Sequence, residues 1–175
     1  MKRNTQELTR ISLLAALCVI GGMISIPIGP VPITLQSLFV LLAGLLLTPK
    51  AAFLSQLLHL ILMMLLRGAQ IVMTPSFGFL FGFMAAATLI SWLRHNKSVN
   101  HYGLLALLAT VTIYLVGTPY MAFILNVILE SGLSVKQILT SGMVLFLPGD
   151  FLKALIAIVI AKRLEKSNVI ISSKS

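Results

Sequence analysis

The chain has 175 residues, 58% of them hydrophobic and 10% charged, with a formal net charge of +9. A soluble domain of this length leaves too many residues at its boundary to hide that much apolar surface, so the composition is that of a polytopic membrane protein. The basic excess contains no long basic run and no basic–aromatic patch, which excludes a nucleic-acid partner.

A helix needs about 20 apolar residues to cross the hydrocarbon core of a bilayer. The first candidate span covers residues 11–28 and follows Lys2, Arg3 and Arg10. This start resembles a signal peptide, but no small-x-small cleavage site leads into a soluble domain, and it reads as a retained span. Within it, Ser12 with Ala16 and Cys18 with Gly22 form small-xxx-small steps that let helices approach closely in lipid. Cys18 is the single cysteine and reads as a small buried side chain. The stretch "IPIGPVPIT" then holds three prolines in six residues, which predicts an extended, stiff connection.

Residues 35–48 and 51–66 are the second and third candidates, both short, joined by "TPK" in a tight antiparallel hairpin. The fourth, fifth and sixth cover residues 76–92, 102–128 and 148–161. Between the last two, "SGLSVKQILTSGMVLF" is too short and too polar to cross. It predicts a short interfacial helix with Leu133, Ile138 and Leu139 toward one side. Continuous apolar runs, without alternation, disfavour a β-barrel. The expectation is therefore one all-α integral membrane domain, a bundle of six transmembrane helices.

The basic residues orient it. With the N-terminus inside, Lys2, Arg3, Arg10, Lys50, Arg94, Lys97, Lys162, Arg163, Lys166 and Lys174 all fall on the cytoplasmic side, leaving Arg67, Lys136 and Lys153 outside. Both termini are then cytoplasmic, and the membrane is the cell membrane. Trp92, His101 and Tyr102 flank the loop between the fourth and fifth spans, where amphipathic rings anchor at the interface.

The sequence contains no GxxxxGK[ST] phosphate loop, no HExxH, no GxSxG and no acidic cluster suited to Mg²⁺. It reads as no enzyme and implies no cofactor or metal; uphill transport would need an ion gradient or a partner. His59 stands alone in the third span and reads as a packing residue, with a proton relay as the alternative.

The remaining polar residues gather at the outer ends of the spans. In "FLPGDFLKAL", Asp150 and Lys153 share a helix face within one turn. They read either as a helix-start carboxylate neutralised by its neighbour, or as a ligand site, since ionisable groups at membrane depth mark substrate and ion pathways. Thr34 and Gln36 in "PITLQ" add donors and acceptors. Arg67 offers a fork matched to a carboxylate, or snorkels as an interfacial cation. Tyr120 follows the helix-kinking Pro119, and both it and Tyr114 also suit interfacial aromatics.

"IPIGPVPITLQ", "LLAGLLLTPK", "PSFGFLFGF", "YLVGTPY" and "FLPGDFLKA", in that order and spacing, closely resemble the BioY family over residues 8–161. These are the biotin-specific, substrate-binding S components of energy-coupling factor (ECF) vitamin transporters. The resemblance implies six transmembrane helices with cytoplasmic termini and vitamin capture near the extracellular face. It also implies ATP-driven import with a transmembrane coupling protein and two ABC-type ATPases. Ser12 and Ala16 occupy the position of the family's small-xxx-small contact with the coupling protein, with Ser12 where Ala is usual. By resemblance, Asp150 accepts from the biotin ureido N–H groups, Gln36 and Tyr120 add contacts, and Lys153 or Arg67 meets the carboxylate. "MLLRGAQIVMTPSFG" departs from the Gly-rich stretch of many relatives. This keeps in play an S component for another vitamin or small carboxylate. A gradient-driven carrier using Asp150 and His59 also stays open, as does a scaffold that binds no small molecule.

Overall fold

Proline decides where the first helix ends. In the computed structural model, which describes residues 2–96 and 101–167, α1 runs Lys2–Met23 and stops short of the expected residue 28. Pro27 disfavours helical backbone in the residue before it, and the chain turns extended. Ser25–Ile26 (β1) pairs antiparallel with Ile33–Thr34 (β2). The proline-rich connection is thus a small hairpin, tied to the end of α1 by the Leu35 N–H donating to the Gly21 carbonyl at 3.0 Å. Lys97 and Lys174, counted in the charge bias, lie outside the described residues.

The second element, α2 (Gln36–Leu46), has 11 residues and spans only about 16 Å at the α-helical rise, half a bilayer core. A short helix at membrane depth is tolerated where protein surrounds it, and eight of its residues are buried. The chain reverses at Thr48, whose hydroxyl caps the Ala51 N–H at 3.3 Å, and α3 (Pro49–Arg67) starts on Pro49. Pro suits the first turn because its missing N–H has no helical partner there.

A 3₁₀ turn, Ala69–Met73, leads into α4 (Phe77–His95). Next, α5 (Tyr102–Phe123) contains Pro119 and continues into one wide turn, Ile124–Ile128. The α4 and α5 backbones lie close: a Cβ on Gly82 would sit 2.9 Å from the Ile113 carbonyl oxygen. The expected interfacial helix is α6 (Val135–Leu139), started by a capping box of Ser134 and Gln137. Only Ile138 of its three apolar residues is buried; Leu139 is exposed. The Asn126 side chain holds its approach, accepting from the Leu133 N–H and donating to the Leu133 carbonyl, both at 2.8 Å. Finally α7 covers Leu147–Lys166.

Among the described residues five segments are long and apolar enough to cross a membrane, and Gln36–Leu46 is the shorter sixth. Small side chains such as Ala15, Ala43, Ala52, Ala87 and Ala109 fill the contacts between helices. Leu13, Leu65, Leu107, Leu115 and Val159 point outward. A face this apolar is stable against hydrocarbon, where the backbone bonds are already satisfied within each helix.

Candidate substrate site

At the start of α7, Pro148 occupies the first turn and the Asp150 carboxylate sits near the helix N-terminus, where the peptide dipoles favour negative charge. One turn on, Lys153 is 7% exposed, and its Nζ lies 2.8 Å from Asp150 Oδ1. Burying such a pair costs desolvation energy that Coulomb attraction alone repays poorly, so further hydrogen bonds are needed. Two residues supply them. The Ser37 hydroxyl donates to Asp150 Oδ1 at 2.9 Å and accepts from Lys153 Nζ at 3.1 Å. The Tyr114 hydroxyl donates to Asp150 Oδ2 at 2.5 Å. Three helices, α2, α5 and α7, thus meet on one carboxylate.

A second polar group forms where β2 enters α2. Gln36 Nε2 lies 3.0 Å from His59 Nε2, and the Thr34 hydroxyl donates to Gln36 Oε1 at 3.2 Å. At the end of α3, Arg67 Nη2 donates to the Gly22 carbonyl at 3.4 Å. Among the described residues Arg67 pairs with no carboxylate, whereas Lys153 pairs with Asp150 and Arg94 with Glu165.

Between these groups lies a narrow cavity of about 70 Å³, with Thr34, Gln36, Ser37, Arg67, Asp150 and Lys153 in its wall. Its apolar surface comes from Phe77, Phe79, Leu80, Phe83, Ile113 and Phe146. The Asp150–Lys153 pair is neutral as a unit, so Arg67 leaves the cavity with a net positive charge. The wall offers donors and acceptors for a polar group, an aromatic face for an apolar body and a positive charge for an anion. At about 70 Å³ the cavity is well below the roughly 300–1,000 Å³ of small-molecule sites, so a ligand carrying all three requires it to widen.

Five of the six residues expected to bind substrate therefore line one cavity. Tyr120 does not: its ring stands beside Phe77, with centroids 5.9 Å apart, and its hydroxyl donates to the Val72 carbonyl at 2.5 Å. It braces the 3₁₀ turn from outside the lining. Ser37 and Tyr114 were missed. Ser37 closes a polar run with Thr34 and Gln36 just before an apolar helix, which was a usable signal; Tyr114 is a buried tyrosine that sequence could not separate from an interfacial one. Ser12 and Ala16 are exposed on one face of α1, beside the exposed Leu13 and Ile20. Among the described residues no group of three His, Cys, Asp or Glu could hold a metal ion.

Fold and cavity define a helical membrane protein with a polar cavity between its helices. The family model described as the BioY family matches residues 1–168. A Lysinibacillus sphaericus protein described as a probable biotin transporter BioY is 34% identical, covering 94% of this chain and 89% of its own. A Pyrococcus horikoshii protein of the same description is 36% identical over 93% of this chain and 98% of its own. Among solved structures, the S-component for biotin from an ECF-type ABC transporter, a 2.1 Å crystal structure, superposes with a TM-score of 0.78 at 28% identity. It covers 94% of this chain and 93% of its own. The chain belongs to the BioY family, a family of transport components and not of enzymes.

Proposed function

We propose that this protein is a biotin-capturing S component, set in the cell membrane with both termini cytoplasmic. It takes up the vitamin from outside and passes it inward with an ECF coupling protein and two ABC-type ATPases. The observation that carries the binding reading is the make-up of the cavity wall: a hydrogen-bonded carboxylate–ammonium pair, a guanidinium that pairs with no described carboxylate, and an aromatic face. Biotin has the matching kinds of group, a ureido ring, an apolar bicycle and a carboxylate tail. Relatives described as biotin transporters support the same choice.

In this reading Asp150 accepts from the ureido N–H groups and Lys153 donates to the ureido oxygen, with Ser37 and Tyr114 holding the carboxylate still. Arg67 takes the tail, because Lys153 is already engaged by Asp150 and Ser37 whereas Arg67 has one long bond to a backbone carbonyl. The exposed Ser12–Ala16 face of α1 is the docking surface for the coupling protein, where small side chains permit close helix approach. Orientation rests on Lys50, Arg94, Lys162, Arg163 and Lys166 gathering at the end away from the cavity.

Calorimetric titration of the purified protein with biotin tests this reading, alongside other vitamins carrying a flat polar ring and a carboxylate. Saturable one-to-one heat for biotin, and not for the others, is the expected result. Saturation by a different vitamin alone would assign the cavity to that compound, and no heat from any of them would point to a scaffold. A gradient-driven carrier needs a relay between Asp150 and His59, but His59 is engaged by Gln36. Biotin uptake in proteoliposomes driven by a pH gradient, without ATPases, would overturn the ATP-dependent scheme.

A further inference from the structure

His59 is 1% exposed in the interior of α3, one of the few polar side chains at that depth, and it touches neither Asp150 nor Lys153. Its ring lies near that of Phe83, with centroids 6.3 Å apart and planes at 23°. Its Nε2 meets the Nε2 of Gln36, a residue of the cavity wall. A glutamine amide is two-sided: the oxygen only accepts and the nitrogen only donates. Turning it over exchanges a donor for an acceptor on the cavity wall while filling the same volume.

Thr34 cannot prevent that turn, because a hydroxyl donates or accepts equally well. The imidazole can in one tautomer. Gln36 Nε2 only donates, so its 3.0 Å approach makes His59 Nε2 the acceptor and puts the ring proton on Nδ1, whereas the other tautomer would take the Gln36 oxygen instead. Gly22 completes the arrangement: a Cβ there would come within 2.7 Å of Gln36 Nε2, so only glycine leaves the amide its place. The carbonyl of the same Gly22 accepts from Arg67. Gln36 and Arg67 thus close on one backbone step in the cavity wall.

We propose that His59 is a positioning residue that fixes the Gln36 amide with its nitrogen toward the imidazole. This adds the second amide N–H to the donors that Arg67 offers an anionic ligand group. The identity of that group as the biotin carboxylate rests on the function proposed above; the clamp itself does not.

Two measurements decide it. First, with glutamine side chains labelled with ¹⁵N and no ligand present, the Gln36 amide signals are identified by their loss in Gln36→Met. In the wild type they are shifted from free-glutamine values and slow to exchange with solvent; in His59→Phe, which keeps the ring, they move toward free values. His59→Gln, which offers an acceptor again, restores protection. Unchanged Gln36 signals in His59→Phe would overturn the clamp whatever the protein binds. Second, biotin affinity is measured through a double-mutant cycle. His59→Phe alone weakens binding about tenfold, the effect of one hydrogen bond, but has no further effect in the Gln36→Met background. Losses that multiply instead would give His59 a purely packing role. Failure of the wild type to bind biotin would sink the proposed substrate and leave the ¹⁵N result to decide the clamp.

Discussion

The two ends of α7 carry two ion pairs, and they are built differently. At the end away from the cavity, Arg94 of α4 pairs with Glu165 of α7, and its guanidinium also donates to the Leu45 carbonyl at the end of α2. The Tyr102 hydroxyl of α5 donates to the other Glu165 oxygen, and the Lys162 ammonium lies 5.4 Å from the Tyr102 ring centre. One guanidinium thereby satisfies a helix-terminal carbonyl, which has no intrahelical partner, and joins four helices. Its charged side chains are 25% and 23% exposed. At the cavity end, Lys153 and Asp150 are 8% and 14% exposed. There the cluster stops short of saturation: an ammonium has three donors, and Lys153 directs one to Asp150 and one to Ser37 while lining a cavity. The Arg94 cluster ties helices together away from the cavity, and the Lys153 cluster lies in the cavity wall with a donor to spare.

The sharpest way to break this contrast is to remove one partner of the buried pair. Lys153→Met leaves Asp150 without its counter-charge, and the expected loss of stability is about 3–5 kcal/mol, read as a lower melting temperature in detergent, with biotin binding abolished. The double replacement Asp150→Leu with Lys153→Met regains most of that stability, because an apolar pair needs no desolvation, but binds no biotin. Recovery of binding in the double variant would show that the pair serves the fold alone.

Asp150→Asn keeps shape and hydrogen-bonding capacity while removing the charge. Biotin affinity should fall by roughly 1.5–3 kcal/mol, the range for hydrogen bonds to charged groups, with membrane insertion unaffected; an unchanged calorimetric affinity would take Asp150 out of the site. Arg67→Leu carries an expected loss of similar or smaller size, and it has a signature of its own. The variant should bind biotin and biotin methyl ester about equally, whereas the wild type prefers the acid. A preference that survives the substitution would move the carboxylate to Lys153.

For the Arg94–Glu165 cluster the effect is smaller and of another kind. Glu165→Gln removes a partly exposed ion pair, for which about 1 kcal/mol is the upper end of the usual range. The melting temperature should drop slightly and the biotin affinity should not change. A change in affinity would connect the two ends of α7 and undo their division of labour.

Which parts of this were legible in the sequence follows from which interactions are local. Span count and the breaks at Thr48 and Pro148 were legible because proline and apolar run length act on the chain where they stand, whereas the first span was carried to residue 28, past the Pro27 that ends it. Asp150 and Lys153 were legible because charge in an apolar run is costly at any packing. The short α2 was only half legible: its apolar residues continue to Leu47, and only the surrounding helices explain why 11 residues suffice. Ser37 and Tyr114 reach Asp150 across separations of 113 and 36 residues, and no periodicity encodes such a meeting. His59 was visible as an oddity, but its partner Gln36 lies 23 residues away on another helix.

Tyr120 stands outside the cavity wall in which it was expected. It lies six residues beyond Tyr114 in one apolar helix, next to the helix-kinking Pro119. In the fold the two hydroxyls go to different tasks, one to the Asp150 carboxylate and one to the Val72 carbonyl. Tyr120→Phe should therefore cost the roughly 0.5–1.5 kcal/mol of a single hydrogen bond, seen as a small drop in melting temperature, with biotin affinity changed less than about twofold. Tyr114→Phe, by contrast, releases one oxygen of the carboxylate that receives the ureido group and should weaken binding measurably more than it lowers the melting temperature. If the two variants behaved alike in both assays, the line between bracing residue and binding residue would fall elsewhere in α5.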